Sequence, residues 1–132
     1  MNTSKLLEEL RGNCPLTVGK ICDPGGNITK GEILSRPVSI ERNQLGQAFD
    51  SIIHSGDFNH IYPEYLEKQL SFALMMLQQN NYETLNINIL PTIIQTDQWQ
   101  KVLDTLRHFP KPGQIVLEFM EQDKNLEIHK SA

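Results

Sequence analysis

Apolar positions recur along the chain with two different periods, and the switches between them mark the elements. Residues 4–11 read as a short helix that Gly12 ends. Leu16 to Asp23 reads as a strand, Asp23-Pro24-Gly25-Gly26-Asn27 as a turn, and Ile28 to Arg36 as a second strand. The pair predicts an antiparallel hairpin, which Pro37 stops. Leu45, Ala48, Phe49, Ile52 and Ile53 recur at helical spacing and predict a helix that Ser55-Gly56-Asp57 closes. Leu66, Leu70, Ala73, Leu74 and Leu77 form the stripe of another helix, with Met75 and Met76 widening it as core filler. After a turn at Asn80-Asn81 the period drops to two. Leu85, Ile87 and Ile89 share one face of a strand over 84–90, Asn86 and Asn88 the other, and Pro91 ends it. Trp99, Val102, Leu103 and Leu106 predict a further helix, with Thr96 or Asp97 as its cap and Pro110 blocking continuation. Lys111-Pro112-Gly113 is a turn, Gln114 to Phe119 a last short strand, and the final ten residues read as a polar, frayed tail.

The order is helix, two hairpin strands, two helices, strand, helix, strand. The later strand–helix–strand run implies a parallel pair with a right-handed crossover. The fold class is α/β. A closed parallel barrel takes eight strands and roughly 250 residues, and this pattern holds about half that number of strands.

Composition narrows the function classes. A chain of 132 residues suits one domain with a real core and no need for staples. With 39% hydrophobic and 21% charged residues it is neither collagen-like, coiled-coil nor wholly disordered. Twelve basic against sixteen acidic residues leave a net charge of −4, a poor balance for sequence-independent nucleic-acid binding. No stretch approaches the roughly 18 to 20 apolar residues of a bilayer span, and Met1 to Arg11 lacks the apolar segment of a signal peptide. Cys14 and Cys22 could form a disulfide or half of a metal site, but they read first as two buried or half-buried thiols in a reducing compartment. No second cysteine pair exists, and His54, His60, His108 and His129 are scattered.

Chemistry concentrates at three positions. Glu32, Asn88 and Glu118 stand near the C-terminal ends of predicted strands, where parallel α/β folds build their sites. Such oxygen ligands suit a hard divalent cation, Mg²⁺ or Mn²⁺. Lone residues of this kind more often face solvent or cap a loop.

Three segments carry a resemblance. Gly31-Glu32-Ile33-Leu34-Ser35-Arg36-Pro37 resembles the signature of EAL domains, the bacterial cyclic di-GMP phosphodiesterases, in which Glu-Ala-Leu is followed by a variable residue and Arg. Lys20 to Asn27 resembles the family's first strand and its Asp-Gly turn. Leu85-Asn86-Ile87-Asn88-Ile89-Leu90-Pro91 resembles its next strand, and Ile115 to Glu121 its Glu-Ile-Thr-Glu strand. The match spans residues 16–121. It implies a partial, half TIM-like EAL barrel: an N-terminal antiparallel hairpin, then parallel strands and helices. It divides the chain into an N-terminal helix at 1–12, a partial EAL-like domain at 13–121 and a polar tail at 122–132. Glu32, Asn88 and Glu118 match three family metal ligands, and Arg36 matches an arginine that contacts a phosphate of the dinucleotide.

The departures point away from catalysis. Family members continue through further strands with an Asp pair, a Lys, and later Glu and Gln residues, and this chain is expected to end before them. Three ligands alone do not clamp two cations. Gly19, Lys20 and Ile21 stand where the family has Gln-Pro-Ile, Ile33 replaces the signature Ala, and Met120 the last motif's Thr. The site residues are therefore vestigial, with no catalytic residue, and no cofactor is expected unless residual activity uses Mg²⁺ or Mn²⁺. The resemblance implies a catalytically inactive, bacterial, cytoplasmic regulatory protein. It would bind another protein, such as a transcriptional regulator of motility or surface structures. A phosphodiesterase, a cyclic di-GMP-binding module and a decayed remnant are the alternatives.

The last strand is expected at a sheet edge, with unpaired backbone groups that need a cover. The 122–132 tail, a second copy in a two-fold homo-oligomer, or a different protein would supply one. Asn125-Leu126-Glu127-Ile128-His129 alternates enough for a short extra strand. Neither direct nucleic-acid binding nor a membrane is expected.

Overall fold

The Asp23–Asn27 turn shapes the first third of the fold. The Asp23 carboxylate accepts the Asn27 N–H at 2.9 Å, and Gly26 takes a φ of +83°, a conformation that glycine adopts without a steric penalty. The turn joins β1 (Leu16–Cys22) to β2 (Ile28–Ser35), an antiparallel pair whose register shifts between Ile21 and Cys22. The structure is a computed structural model, and it describes residues 3–108 and 113–120. Pro110, Lys111, Pro112, His129, the 122–132 tail and the strand expected at Asn125–His129 lie outside the described residues.

The elements run α1 (Thr3–Arg11), β1, β2, α2 (Leu45–Ile52), α3 (Gly56–Gln79), β3 (Thr84–Ile89), α4 (Trp99–Arg107) and β4 (Ile115–Phe119). Short 3₁₀ turns at Arg42–Gln44 and Pro91–Gln95 precede α2 and α4. The strands form one mixed sheet in the order β1-β2-β3-β4. β2, β3 and β4 run parallel, and β1 alone is antiparallel. The chain is thus a mixed α/β fold with four helices and four strands among the described residues. None of those helices is long and apolar enough to cross a membrane.

All four helices pack on one face of the sheet. Leu6 and Leu10 of α1, Ala48 and Ile52 of α2, Leu66, Leu70 and Ala73 of α3 and Val102 of α4 share one core with Ile33, Leu85, Ile87 and Ile89. The segment at 1–12 thus contributes leucines to the same core as the strands. Side chains of the neighbouring strands close over Gly31: a Cβ there would lie 2.5 Å from Cγ1 of Val18 on β1, so this position admits no side chain without displacement.

Several local expectations need correction. Ser55 does close α2, since its N–H and hydroxyl both reach the Ile52 carbonyl, at 2.9 and 2.8 Å. Gly56 and Asp57, however, already belong to α3, because the Ser55 hydroxyl also accepts the Phe58 N–H at 3.1 Å as an N-cap. One residue ends a helix and starts the next. α3 therefore begins ten residues before Leu66 and carries Pro63 in its interior. Phe58, Ile61, Tyr62 and Tyr65 extend its buried stripe, and that burial compensates for the missing Pro63 N–H. Met75 is 41% exposed and not core filler, whereas Met76 packs against the core. α4 has no side-chain cap. Thr96 turns its hydroxyl back to the Ile93 carbonyl at 2.7 Å, within the preceding 3₁₀ turn. Both cysteines are free, Cys14 half-buried and Cys22 exposed, so the two thiols are neither bonded to each other nor both shielded.

Candidate functional site

Strand register brings three of the four predicted site residues, Glu32, Asn88 and Glu118, to one region. Glu32 stands level with Asn86, and Asn88 with Glu118, all on the face opposite the helices. The helix-facing neighbours Ile33, Leu85, Ile87 and Ile89 are buried, whereas Glu32, Asn86 and Asn88 are half-exposed and Glu118 is exposed. Glu32 sits one pleat lower than expected, in the second half of β2 and not at its end.

Two diagonal hydrogen bonds tie this face together. The Asn88 amide donates to Oε1 of Glu32 at 2.7 Å. The Asn86 amide donates to Oε1 of Glu118. Each carboxylate thus accepts an amide proton from the asparagine on its neighbouring strand. Sequence reasoning singled out Asn88 and passed over Asn86, although the period of two puts both on the same face.

The donor set is short for the metal chemistry that the resemblance implies. Glu32, Asn88 and Glu118 lie on three adjacent strands, and one oxygen of each carboxylate already accepts an amide proton. Mg²⁺ takes six oxygen ligands in near-octahedral order. Among the described residues no three His, Cys, Asp or Glu side chains come together. These residues do not fit a two-cation centre. They make a network of neutral amides and carboxylates suited to recognition.

Beside the network, at the C-terminal ends of β2 and β3, lies a cavity of about 200 Å³. Arg36, Asn88 and Met120 line it from the sheet side, and Phe49, Tyr62 and Tyr65 from α2 and α3. Arg36 is half-buried. Its guanidinium donates only to the Ser35 carbonyl, at 3.5 Å, and it faces no carboxylate within ion-pair distance among the described residues.

Two buried tyrosines hold the cavity's inner wall. The Tyr62 hydroxyl accepts the Leu90 N–H at 2.9 Å and so pins the end of β3 to α3. The Tyr65 hydroxyl lies between the Ser35 hydroxyl and the Cys14 sulfur, 3.9 Å away. Burial pushes both phenols well above the ordinary tyrosine value. Both stay neutral and serve as hydrogen-bonding groups. Burial likewise pushes the Cys14 thiol up, which keeps it protonated and unreactive at neutral pH.

The chain matches no family model, no curated protein and no solved structure. Its functional reading therefore rests on its own residues.

Proposed function

We propose that this protein holds an EAL-like α/β unit that acts by binding another protein and does not hydrolyse cyclic di-GMP. The observation that carries the reading is the apolar surface around β4. Among the described residues this strand stands at the end of the sheet order, with Val116 39% and Phe119 48% exposed on its two faces. A strand edge of this kind is a template for pairing with another chain. Three further features support the family part of the reading. They are the antiparallel hairpin followed by parallel strands, the helices confined to one face, and Glu32, Asn88 and Glu118 on the other. The amide-held carboxylates support binding over turnover.

The partner in this proposal is a transcriptional regulator of motility or surface structures in a bacterial cytoplasm. A second copy of the chain, pairing β4 with β4 about a two-fold axis, would cover the same edge. Light scattering on the purified chain, alone and mixed with such a regulator, separates the two. The expected result is a complex with the regulator that Val116→Lys/Phe119→Lys abolishes. A stable homodimer broken by the same substitutions would replace the regulator with a second copy. Turnover of cyclic di-GMP in Mn²⁺, lost in Glu32→Ala, would overturn the non-catalytic reading.

One observation favours a second reading, a module that senses cyclic di-GMP without cleaving it. Among the described residues the Arg36 guanidinium faces no carboxylate, which leaves it to grip a phosphate in bidentate fashion. Saturable heat on titrating cyclic di-GMP, lost in Arg36→Gln, would establish it.

A further inference from the structure

The interior of the cavity between β2, β3 and α3 holds a feature that neither reading uses. Gln69, on α3, is only 6% exposed and lines the cavity wall, and its carboxamide oxygen has no hydrogen-bond partner among the described residues. An unsatisfied buried acceptor costs on the order of 1–3 kcal/mol, so such groups are uncommon in folded proteins. Gln69 interrupts a stripe whose neighbours Tyr65, Leu66, Leu70 and Ala73 are all buried, where an apolar residue would pack without that cost.

The wall around this acceptor has a consistent chemistry. Phe49, Tyr62 and Tyr65 supply aromatic surface, and Arg36 supplies a cation with no ion-pair partner among the described residues. A volume of about 200 Å³ exceeds the roughly 150 Å³ that encloses a benzene ring. It is too small to enclose a cyclic dinucleotide. Apolar walls with a few converging polar groups are the usual make-up of a small-molecule site.

We propose that this cavity binds a small aromatic carboxylate whose single ring packs against Phe49, Tyr62 and Tyr65. Its carboxylate pairs with Arg36, and a hydroxyl or N–H on the ring donates to the Gln69 carboxamide. The ligand supplies the buried acceptor with the donor that the protein withholds. Ring, anion and donor are each matched by a separate group on the wall.

The test is calorimetric titration of the full chain with 4-hydroxybenzoate, and with neutral 4-hydroxybenzamide as the charge control. Saturable binding of the acid is expected, with the amide about tenfold or more weaker. Gln69→Leu separates a binding role from a packing role. It is expected to raise the thermal midpoint, because it removes the unpartnered acceptor, while weakening 4-hydroxybenzoate about tenfold. Arg36→Gln, at a half-buried position, is expected to reduce the acid to the affinity of the amide. No saturable heat with the wild-type chain would overturn the proposal. So would equal binding of acid and amide, or unchanged binding in both Gln69→Leu and Arg36→Gln.

Discussion

Strand β3 divides two environments within six residues. Leu85, Ile87 and Ile89 point into the helix layer and are 0% exposed. Thr84, Asn86 and Asn88 point the other way and remain half-exposed. On the covered face, shape decides: each side chain fills a space that α3, α4 and the neighbouring strands leave. On the open face, chemistry decides: asparagine amides reach diagonally to carboxylates one strand away. The comparison teaches that one sheet is a core wall on one side and an open polar surface on the other, which the proposed function reads as a recognition surface. Substitutions should therefore cost stability on the first and binding on the second.

Ile87→Ala tests the covered face most severely. It opens a void at the centre of the sheet, next to Ile33 and Leu85 in the same core. The expected loss is about 3 kcal/mol, read as a lower urea midpoint at unchanged slope. An effect below about 1 kcal/mol would mean that the helix layer collapses freely onto the sheet, and the contrast between the faces would fail.

Tyr62→Phe sharpens the comparison by changing one polar group inside the covered layer. It leaves the ring against Phe58, 5.3 Å away between centroids, and removes only the acceptor of the Leu90 N–H. The orphaned amide is buried, so the expected loss is about 1–2 kcal/mol. Leu90 follows β3 directly, and its amide hydrogen exchange should accelerate in the variant.

The alternating pattern of β3 was readable because its period of two was unbroken from Thr84 to Ile89, and both faces emerged as expected. The hairpin was readable from its turn, since Asp23 and Gly26 do there what their chemistry favours. α3 was only half readable. Its first ten residues carry Pro63 and bury aromatic side chains instead of leucines, so the stripe became plain only from Leu66. Glu32, Asn88 and Glu118 were legible as polar strand residues, but their hydrogen bonds were not. Which asparagine reaches which carboxylate depends on strand register, and local sequence does not encode register. Gln69 had a signal, a lone amide among buried positions at helical spacing, but its missing partner is a property of the packed cavity.

Glu9→Gln probes the seam between α1 and the loop after β2, where polar bonding meets the core's rim. The Glu9 carboxylate accepts the Val38 N–H at 2.6 Å and the Ser39 N–H at 2.9 Å. Partial burial raises its proton affinity, but the hydrogen bonds from Ser39 and Val38 outweigh burial and lower the carboxyl below its ordinary 4.5. A carboxyl lowered in the folded state stabilises the fold fully above its unfolded value, and loses that effect as pH falls through its folded value. At neutral pH the substitution is expected to cost about 1 kcal/mol, modest because the site is partly solvated. The difference between wild type and variant should shrink as pH drops below 4.5. Thermal midpoints of both proteins across that range measure it, and a gap that widens in acid would contradict the assignment.

Asn86→Ala is the smallest expected effect and the cleanest test of the open face. It deletes the amide that donates to Glu118, a pair in contact with solvent. Water can replace the lost donor at Glu118, so the stability change should stay within about 0.5 kcal/mol. Asn88→Ala removes the corresponding donor to the half-exposed Glu32 and should behave alike, with a slightly larger loss because that bond is partly shielded. If the open face is a recognition surface, both variants should fold like the wild type and bind the β4 partner less well, since each frees a carboxylate on the face that Val116 shares. Two substitutions one pleat away from Ile87 would then leave stability almost untouched and lower affinity. Losses of 2 kcal/mol or more from either asparagine would instead make the amide–carboxylate network a structural brace, and the surface's role in recognition would lose its support.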